Sequence, residues 1–372
     1  MAISSDPTVR AEMLRGRGAV SNRSGRFERF AKSIADDGWG PVQGTLEALA
    51  ELPRLRTEVT DEHPKHIITK NASPDIPFDR SINPYRGCEH GCVYCFARPT
   101  HTYHGLSAGL DFETKLFAKP DAADLLKTEL AKKGYAPAPI AMGTNTDPYQ
   151  PIERERGITR ALLEVLDKAS HPVTIVTKSR LVVRDIDILS RMAERNLVKV
   201  ALSVTTVDPK LARTLEPRAA TPQRRLDAIR LLTDAGVPTG VMMAPVIPAI
   251  NDHEMERVLA AAAHAGAREA GYILVRLPLE VAGLFEEWLE TNYPDRKDRV
   301  LSRLAAMRGG RLNDPRFGNR MKGEGLEAEL LRQRFALMCK RFGYNKDRIR
   351  LDTGAFEPPL KPARGGQMDL FG

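Results

Sequence analysis

R-G-C-E-H-G-C-V-Y-C, Arg86 to Cys95, places three cysteines within eight positions, at 88, 92 and 95. A thiolate site for a single metal ion usually takes four protein ligands. This stretch offers three, and the remaining cysteine, Cys339, lies far downstream. The loop is therefore either an incomplete structural metal site or a complete one that keeps a position open.

What surrounds the loop decides its setting. From about residue 79, short β-rich runs alternate with helix-like segments. The runs are RSINPY, PIAMGTN, PVTIVTKS, VKVALSVTT, PTGVMMAPVI and GYILVRLPL. The segments 120–134, 158–169, 185–195, 221–235 and 252–266 carry helical periodicity. Their start and stop signals include Pro120 with Asp121, Thr221-Pro222, and Gly236 before a strand. Six alternations predict an α/β fold with a parallel sheet curled into a barrel or part of one. In such folds the ligand chemistry gathers at the carboxyl ends of the strands. The polar residues follow that rule. The first strand runs into the cysteine loop, the second into Gly143-Thr144-Asn145-Thr146-Asp147, the third into Thr177-Lys178-Ser179, and the fourth into Ser203-Val204-Thr205-Thr206.

Composition sets the outer bounds. The chain has 372 residues, of which 42% are hydrophobic, enough for one large domain with appendages or for two. No apolar run approaches the roughly 18 residues of a membrane span, and Met1–Gly18 has no apolar core for a signal peptide. A soluble, cytoplasmic protein with no membrane partner is expected. In a reducing compartment, clustered cysteines signify metal or redox chemistry rather than disulfides.

The formal charge is +8 and is unevenly spread. Residues 295–350 hold sixteen Lys/Arg against seven Asp/Glu, and residues 10–32 hold seven against two. Two basic flanks suggest an anionic partner such as nucleic acid, although a merely solvated surface has the same look. The Gly/Arg/Ser-rich stretch RGRGAVSNRSGRFERF reads as a basic arm, flexible or ordered by the rest of the protein or by a ligand.

Two metal chemistries suit the loop. A zinc site would recruit His90, His101 or His104 as the fourth ligand, in a non-enzymatic nucleic-acid module. An iron–sulfur cluster needs only three thiolates if one iron is left for an outside ligand. The spacing C-x3-C-x2-C, with an aromatic before the third cysteine, opens a βα series. In this GCEHGCVYC resembles the radical S-adenosylmethionine (SAM) superfamily.

That resemblance implies a partial (βα)6 barrel with a basic N-terminal arm and a helical C-terminal extension. It implies a 4Fe–4S cluster on Cys88, Cys92 and Cys95, and SAM chelated at the free iron. Reductive cleavage of SAM to a 5′-deoxyadenosyl radical follows, fed by an electron donor such as flavodoxin or ferredoxin. Tyr94 is then the aromatic beside the adenine. Gly143 and Thr144, with Asn145 or Asp147, meet the SAM amino group, Lys178 meets its carboxylate, and Ser203 and Thr205 reach the ribose. The stretch GTNTD departs from the family's glycine pair followed by glutamate, which leaves the acceptor of that hydrogen bond open between Asn145 and Asp147.

Within the superfamily, NPYRGCEHGCVYCFA, NTDPYQPIE and LEPRAATPQRRLDAI are most similar to relatives of spore photoproduct lyase, over about residues 76–285. Spore photoproduct lyase reverses a thymine dimer in DNA and uses a cysteine near its cluster loop as hydrogen-atom donor. Here no cysteine follows Cys95 until Cys339, in RFALMCKRF, whose pattern makes it a small buried side chain rather than that donor.

The chain is read as an extension at 1–75, a core barrel at 76–285, a basic helical extension at 286–356 and a tail at 357–372. In the tail, Gln367-Met368-Asp369-Leu370-Phe371 resembles the pentapeptide by which bacterial DNA polymerases and repair proteins bind the sliding clamp, a Leu-Phe anchor logic. DNA is thus favoured as substrate over RNA or protein, which a radical SAM enzyme modifies in the rival reading.

Overall fold

The computed structural model describes residues 16–28 and 55–360. Among them are ten strands: β1 Glu58–Asp61, β2 Ile68–Lys70, β3 Arg80–Ile82, β4 Tyr85–Arg86, β5 Lys115–Ala118, β6 Ile140–Met142, β7 Val173–Thr177, β8 Val198–Ser203, β9 Thr239–Val246 and β10 Glu269–Leu274. The main sheet has the order β10-β9-β8-β7-β6-β3-β2. Its strands β3, β6, β7, β8, β9 and β10 are all parallel, and β2 closes one edge antiparallel to β3. These six parallel strands are the six β-rich runs of the sequence. The edges β2 and β10 do not pair with each other, so the barrel is partial.

The expected helices form as α1 Ala122–Leu130, α2 Ile158–Lys168, α3 Ile186–Glu194, α4 Pro222–Asp234 and α5 Met255–His264. Beyond them lie α6 Glu280–Asn292 and α7 Leu326–Phe342. Local chemistry sets several of these boundaries. Thr221 caps α4 by accepting from the Arg224 N–H, with Pro222 in the first turn. Gly236, at φ +79°, turns the chain from α4 toward β9.

Alternation along the strands gives the sheet two faces. Val173, Ile175, Val200, Leu202, Val241, Met243 and Leu274 are buried beneath the helices. Their neighbours Thr174, Ala201, Met242, Ala244 and Gly271 are half-buried and mostly small, which leaves room on the other face. On the helical side α7 packs against α5 and, through Phe335, against Tyr272 of β10 with ring centroids 4.8 Å apart. Cys339 sits one turn beyond Phe335 and is half-buried there. The Asn345 amide is 3.8 Å from its sulfur.

Two features add to the sequence reading. A second small sheet, β1-β5-β4, lies beside the first strand of the barrel. The N-terminal stretch 16–28 is folded onto the cysteine loop and is ordered by the protein itself. Glu113 accepts from the Gly18 and Ala19 amides, both at 2.9 Å. Asn22 exchanges hydrogen bonds with Asp111, and the Leu110 amide donates to Ser21 O. Arg17 donates to the carbonyls of Glu113 and Leu55. The extension 1–75 also supplies β2 to the main sheet.

No helix among the described residues is long and apolar enough to cross a membrane. The tail residues 367–371 lie outside the described residues.

Candidate active site

The cysteine loop leaves β4 at the carboxyl edge of the parallel sheet. It is held on every side by hydrogen bonds that the backbone cannot supply alone. Gln150, fully buried, accepts from the Glu89 amide at 2.9 Å and donates to Gly87 O at 3.2 Å. Arg98, also fully buried, donates to Cys92 O, Ala108 O and Gly109 O and pairs with Glu113 at 2.5 Å. The Val93 amide reaches Leu215 O, and the Arg218 amide reaches His90 O. Gly18 approaches so closely that a Cβ there would stand 1.7 Å from Gly91 O.

The three thiols are free, with Cys88 and Cys92 buried and Cys95 half-buried. Cys88, Ala97 and Phe112 form an apolar pocket with Cys95 packed against it. Burial pushes the Cys88 thiol well up and the Cys92 thiol to about 12, and each is raised further by neighbouring cysteines. Such thiols need a cation to become thiolates.

The side chains around the loop test which group fits. His90 faces Asp147 at 3.3 Å, and His101 Nε2 bonds Lys115 O at 2.8 Å. His104 stacks on Phe117. Among the described residues, no group of three or more His, Cys, Asp or Glu side chains is placed to hold one metal ion. The loop itself supplies three thiols, a donor count that fits a multi-iron cluster with one iron left open and falls one short of a lone tetrahedral zinc.

The neighbouring strand ends are prearranged too. Asn83 Oδ1 accepts from the Asn145 amide at 3.0 Å and from Thr144 and Thr146 at 3.4 Å, shaping the loop after β6. Gly143, at φ +86°, has no room for a side chain, because a Cβ would meet Val176 O at 1.9 Å. Asp147 is fully committed to the protein. Its carboxylate takes Thr177 Oγ1 at 2.6 Å, the Lys178 amide at 2.7 Å and the Tyr149 amide at 2.9 Å, besides His90. Burial opposes its charge, but His90 and these donors hold the carboxyl at about 2. Of the two residues weighed as partner for an amino group, Asn145 is the one whose side chain carries no such load.

A second buried carboxylate, Glu216, was not singled out from the sequence. It pairs with Arg225, accepts the Tyr94 hydroxyl, and accepts Thr205 Oγ1 at 2.6 Å. Burial works against its charge as well, yet Arg225 and Lys178 hold it at about 2. Arg225 also donates to Ser203 O at 2.9 Å. Lys178 Nζ lies 5.8 Å from the centre of the Tyr94 ring. Tyr94, Lys178, Ser203 and Thr205 are therefore brought together around one carboxylate, next to the cysteine loop. A signal for it did exist in the sequence. Glu216 and Arg225 both fall in LEPRAATPQRRLDAI, yet a Glu nine residues from an Arg does not announce a pair until the turn before α4 folds.

An open groove of about 470 Å³, lined by Asn71, Ile76, Phe78 and Pro139 among others, lies at the opposite, amino edge of the sheet. It takes no part in this chemistry.

Residues 82–262, just under half of the chain, match the Radical SAM superfamily. The superfamily's cofactors are a 4Fe–4S cluster and SAM. The chain is 36% identical over 222 residues to an uncharacterized protein of Mycobacterium tuberculosis (strain H37Rv), covering 59% of this chain and 65% of that one. The chain thus spans about two thirds of the length of these relatives, just short of it. An uncharacterized protein of Methanocaldococcus jannaschii is 27% identical over 227 residues, 61% of this chain and 81% of its own. Among solved structures, spore photoproduct lyase complexed with dinucleoside spore photoproduct superposes with a TM-score of 0.55 at 16% identity, over 76% of this chain and 79% of that one. That likeness concerns the fold.

Proposed function

We propose that this chain is a radical SAM enzyme that abstracts a hydrogen atom from DNA, in repair or modification. The observation that carries the reading is the three-thiol loop, buried at Cys88 and Cys92, at the carboxyl edge of six parallel strands.

Cys88, Cys92 and Cys95 would hold the cluster, which when bound supplies the electron for cleaving SAM. The protein's own contribution is positioning. Arg98 and Gln150 fix the loop backbone. Lys178 places a positive charge over Tyr94, where an anionic carboxylate can be met. Glu216 fixes the Tyr94 and Thr205 side chains by accepting from both hydroxyls. Asn145 offers a side-chain acceptor at the end of β6.

DNA is supported by the charge of +8 and by the fold neighbour whose complex contains a dinucleoside spore photoproduct. Cys339 lies on α7 behind the sheet, and we take the cycle to be closed by a donor other than a loop cysteine. Residues 367–371 add a sliding-clamp tether to this reading, and a flavodoxin or ferredoxin would deliver the electron. The test is anaerobic reconstitution with iron, sulfide and labelled SAM in the presence of DNA or RNA. Brown protein that forms 5′-deoxyadenosine and passes label to or from DNA is the expected result. Colourless protein that leaves SAM intact refutes it.

A further inference from the structure

We infer that Arg276 and Phe96 form a seat for one phosphodiester and its adjoining base, by which a single nucleic-acid strand lies across the mouth of the barrel. The inference rests on the nucleic-acid reading above and adds the residues that would grip the strand.

Phe96 directly follows the last cluster cysteine, Cys95, yet its ring is 48% exposed. About half of this side chain is thus left open beside a buried loop. Over it, at 5.4 Å, stands the guanidinium of Arg276, two residues past the end of β10. Arg276 is poorly provided for. Its Nε is buried without an acceptor, and its Nη1 meets only the Met321 sulfur at 3.9 Å. A half-buried guanidinium whose Nε is buried and left without an acceptor costs free energy that an arriving anion recovers.

The charges facing Arg276 do not relieve it. Asp75, the carboxylate in its neighbourhood, is taken by Arg320, with Arg320 Nε to Asp75 Oδ2 at 2.6 Å. Arg308 lies close by and is itself nearly encased, donating to Leu274 O, Val275 O and Arg320 O. Burial and like charge push Arg276 down from its ordinary value, and Arg308 to about 10, which agrees with a surplus of positive charge. A second exposed ring lies nearby: Phe317 is 58% exposed, with the Asp75-bound Arg320 guanidinium 4.8 Å over it. Exposed rings alternating with guanidinium groups are how proteins hold single strands, the rings stacking on bases and the cations on phosphates. A lone carboxylate ligand would need the arginine but not the two rings.

The experiment measures binding, apart from SAM chemistry. The full-length, cluster-loaded protein is titrated into a fluorescein-labelled dT decamer, without SAM, at several salt concentrations. Arg276→Gln is expected to weaken binding about tenfold and to reduce the slope of log K against log[salt] by about 0.7, the value for one phosphate contact on a single strand. Phe96→Ala is expected to weaken binding by a similar factor with the slope unchanged, because stacking releases no counterions; Phe96→Trp should restore it. Arg195→Gln, on the far side at α3, should leave both quantities unchanged. Wild-type binding kept by Arg276→Gln and Phe96→Ala overturns the inference. Equal affinity for poly-glutamate, or no binding of the decamer by the wild type, does so too. Absorbance of the iron–sulfur chromophore is read in the same samples. Its absence counts against the proposed enzyme class, whereas normal absorbance with an unaltered decamer titration counts against this seat alone.

Discussion

The Tyr94 hydroxyl donates to the Glu216 carboxylate, joining the cysteine loop to the turn before α4 across 122 residues of chain. The same carboxylate is paired with Arg225, so three elements around the barrel mouth share one buried charge. Tyr94→Phe removes one donor to a charged acceptor and should cost about 1.5–3 kcal/mol in denaturant unfolding. Glu216→Gln leaves Arg225 buried and uncompensated, with an expected cost of about 3–5 kcal/mol. If the second variant is no less stable than the first, the carboxylate is not the keystone of the mouth.

The N-terminal stretch acts as a strap on the cysteine loop, through a backbone contact that tolerates no side chain at position 18. Gly18→Ala must push that strap off Gly91 O. Faster oxygen-dependent bleaching of the reconstituted cluster is expected, together with a loss of about 1–3 kcal/mol of stability typical of overpacking. Unchanged bleaching would show that the strap does not shield the loop.

Single Cys88→Ala, Cys92→Ala and Cys95→Ala variants should each abolish formation of 5′-deoxyadenosine, because a cluster with one open iron needs all three thiolates. Cys339→Ala should retain it, since that thiol lies against the helical side of the sheet. Product analysis by chromatography separates the two outcomes.

His171 gives the fold an acid-sensitive point remote from the cluster. Its Nδ1 lies 3.0 Å from Pro172 O, and its Nε2 lies 2.9 Å from the Tyr135 hydroxyl, an arrangement suited to the neutral ring. Burial lowers its pKa from 6.5 to about 4. The unfolded chain therefore takes up the proton first. Stability from this group is complete above about pH 6.5 and falls as the pH drops toward 4, by about 2 kcal/mol on reaching pH 5. Urea unfolding at pH 7 and pH 5 should show that loss in the wild type and a smaller one in His171→Gln.

Removing the last six residues, 367–372, should abolish capture by an immobilised bacterial sliding clamp while leaving SAM cleavage intact. Equal capture of both forms would dissociate the tail from the clamp.

The barrel was largely legible in the sequence because each parallel strand carries an apolar run bounded by Gly, Pro or polar ends, and the helices between them have caps. β1, β2, β4 and β5 were not, since strands of two to four residues show no period of their own and these, unlike β3 and β6, stand outside the parallel series. Residues 16–28 read as a basic arm from their Gly, Arg and Ser content. What orders them is the Glu113 carboxylate, nearly a hundred residues away, and no local pattern encodes that. At the site, the cysteines declare themselves by spacing, and the strand ends by position. The division of labour between Asp147 and Glu216, both serving the protein's own donors, emerges only once His90 and Arg225 come within reach.

The Asp75–Arg320 ion pair has a consequence for what counts as the folding unit. It ties the β2–β3 loop to the short helix Asn319–Lys322, whose Arg320 carbonyl is bound by Arg308, which also grips the end of β10. It thus acts as a clasp between the two unpaired margins of the sheet, made from residues 245 positions apart. The segment that matches the superfamily stops at residue 262, before β10 begins and without either half of the clasp. Cut out alone, it would expose β9 as a bare edge, a template for aggregation. The matched segment is therefore shorter than the stretch of chain that covers both margins of its sheet.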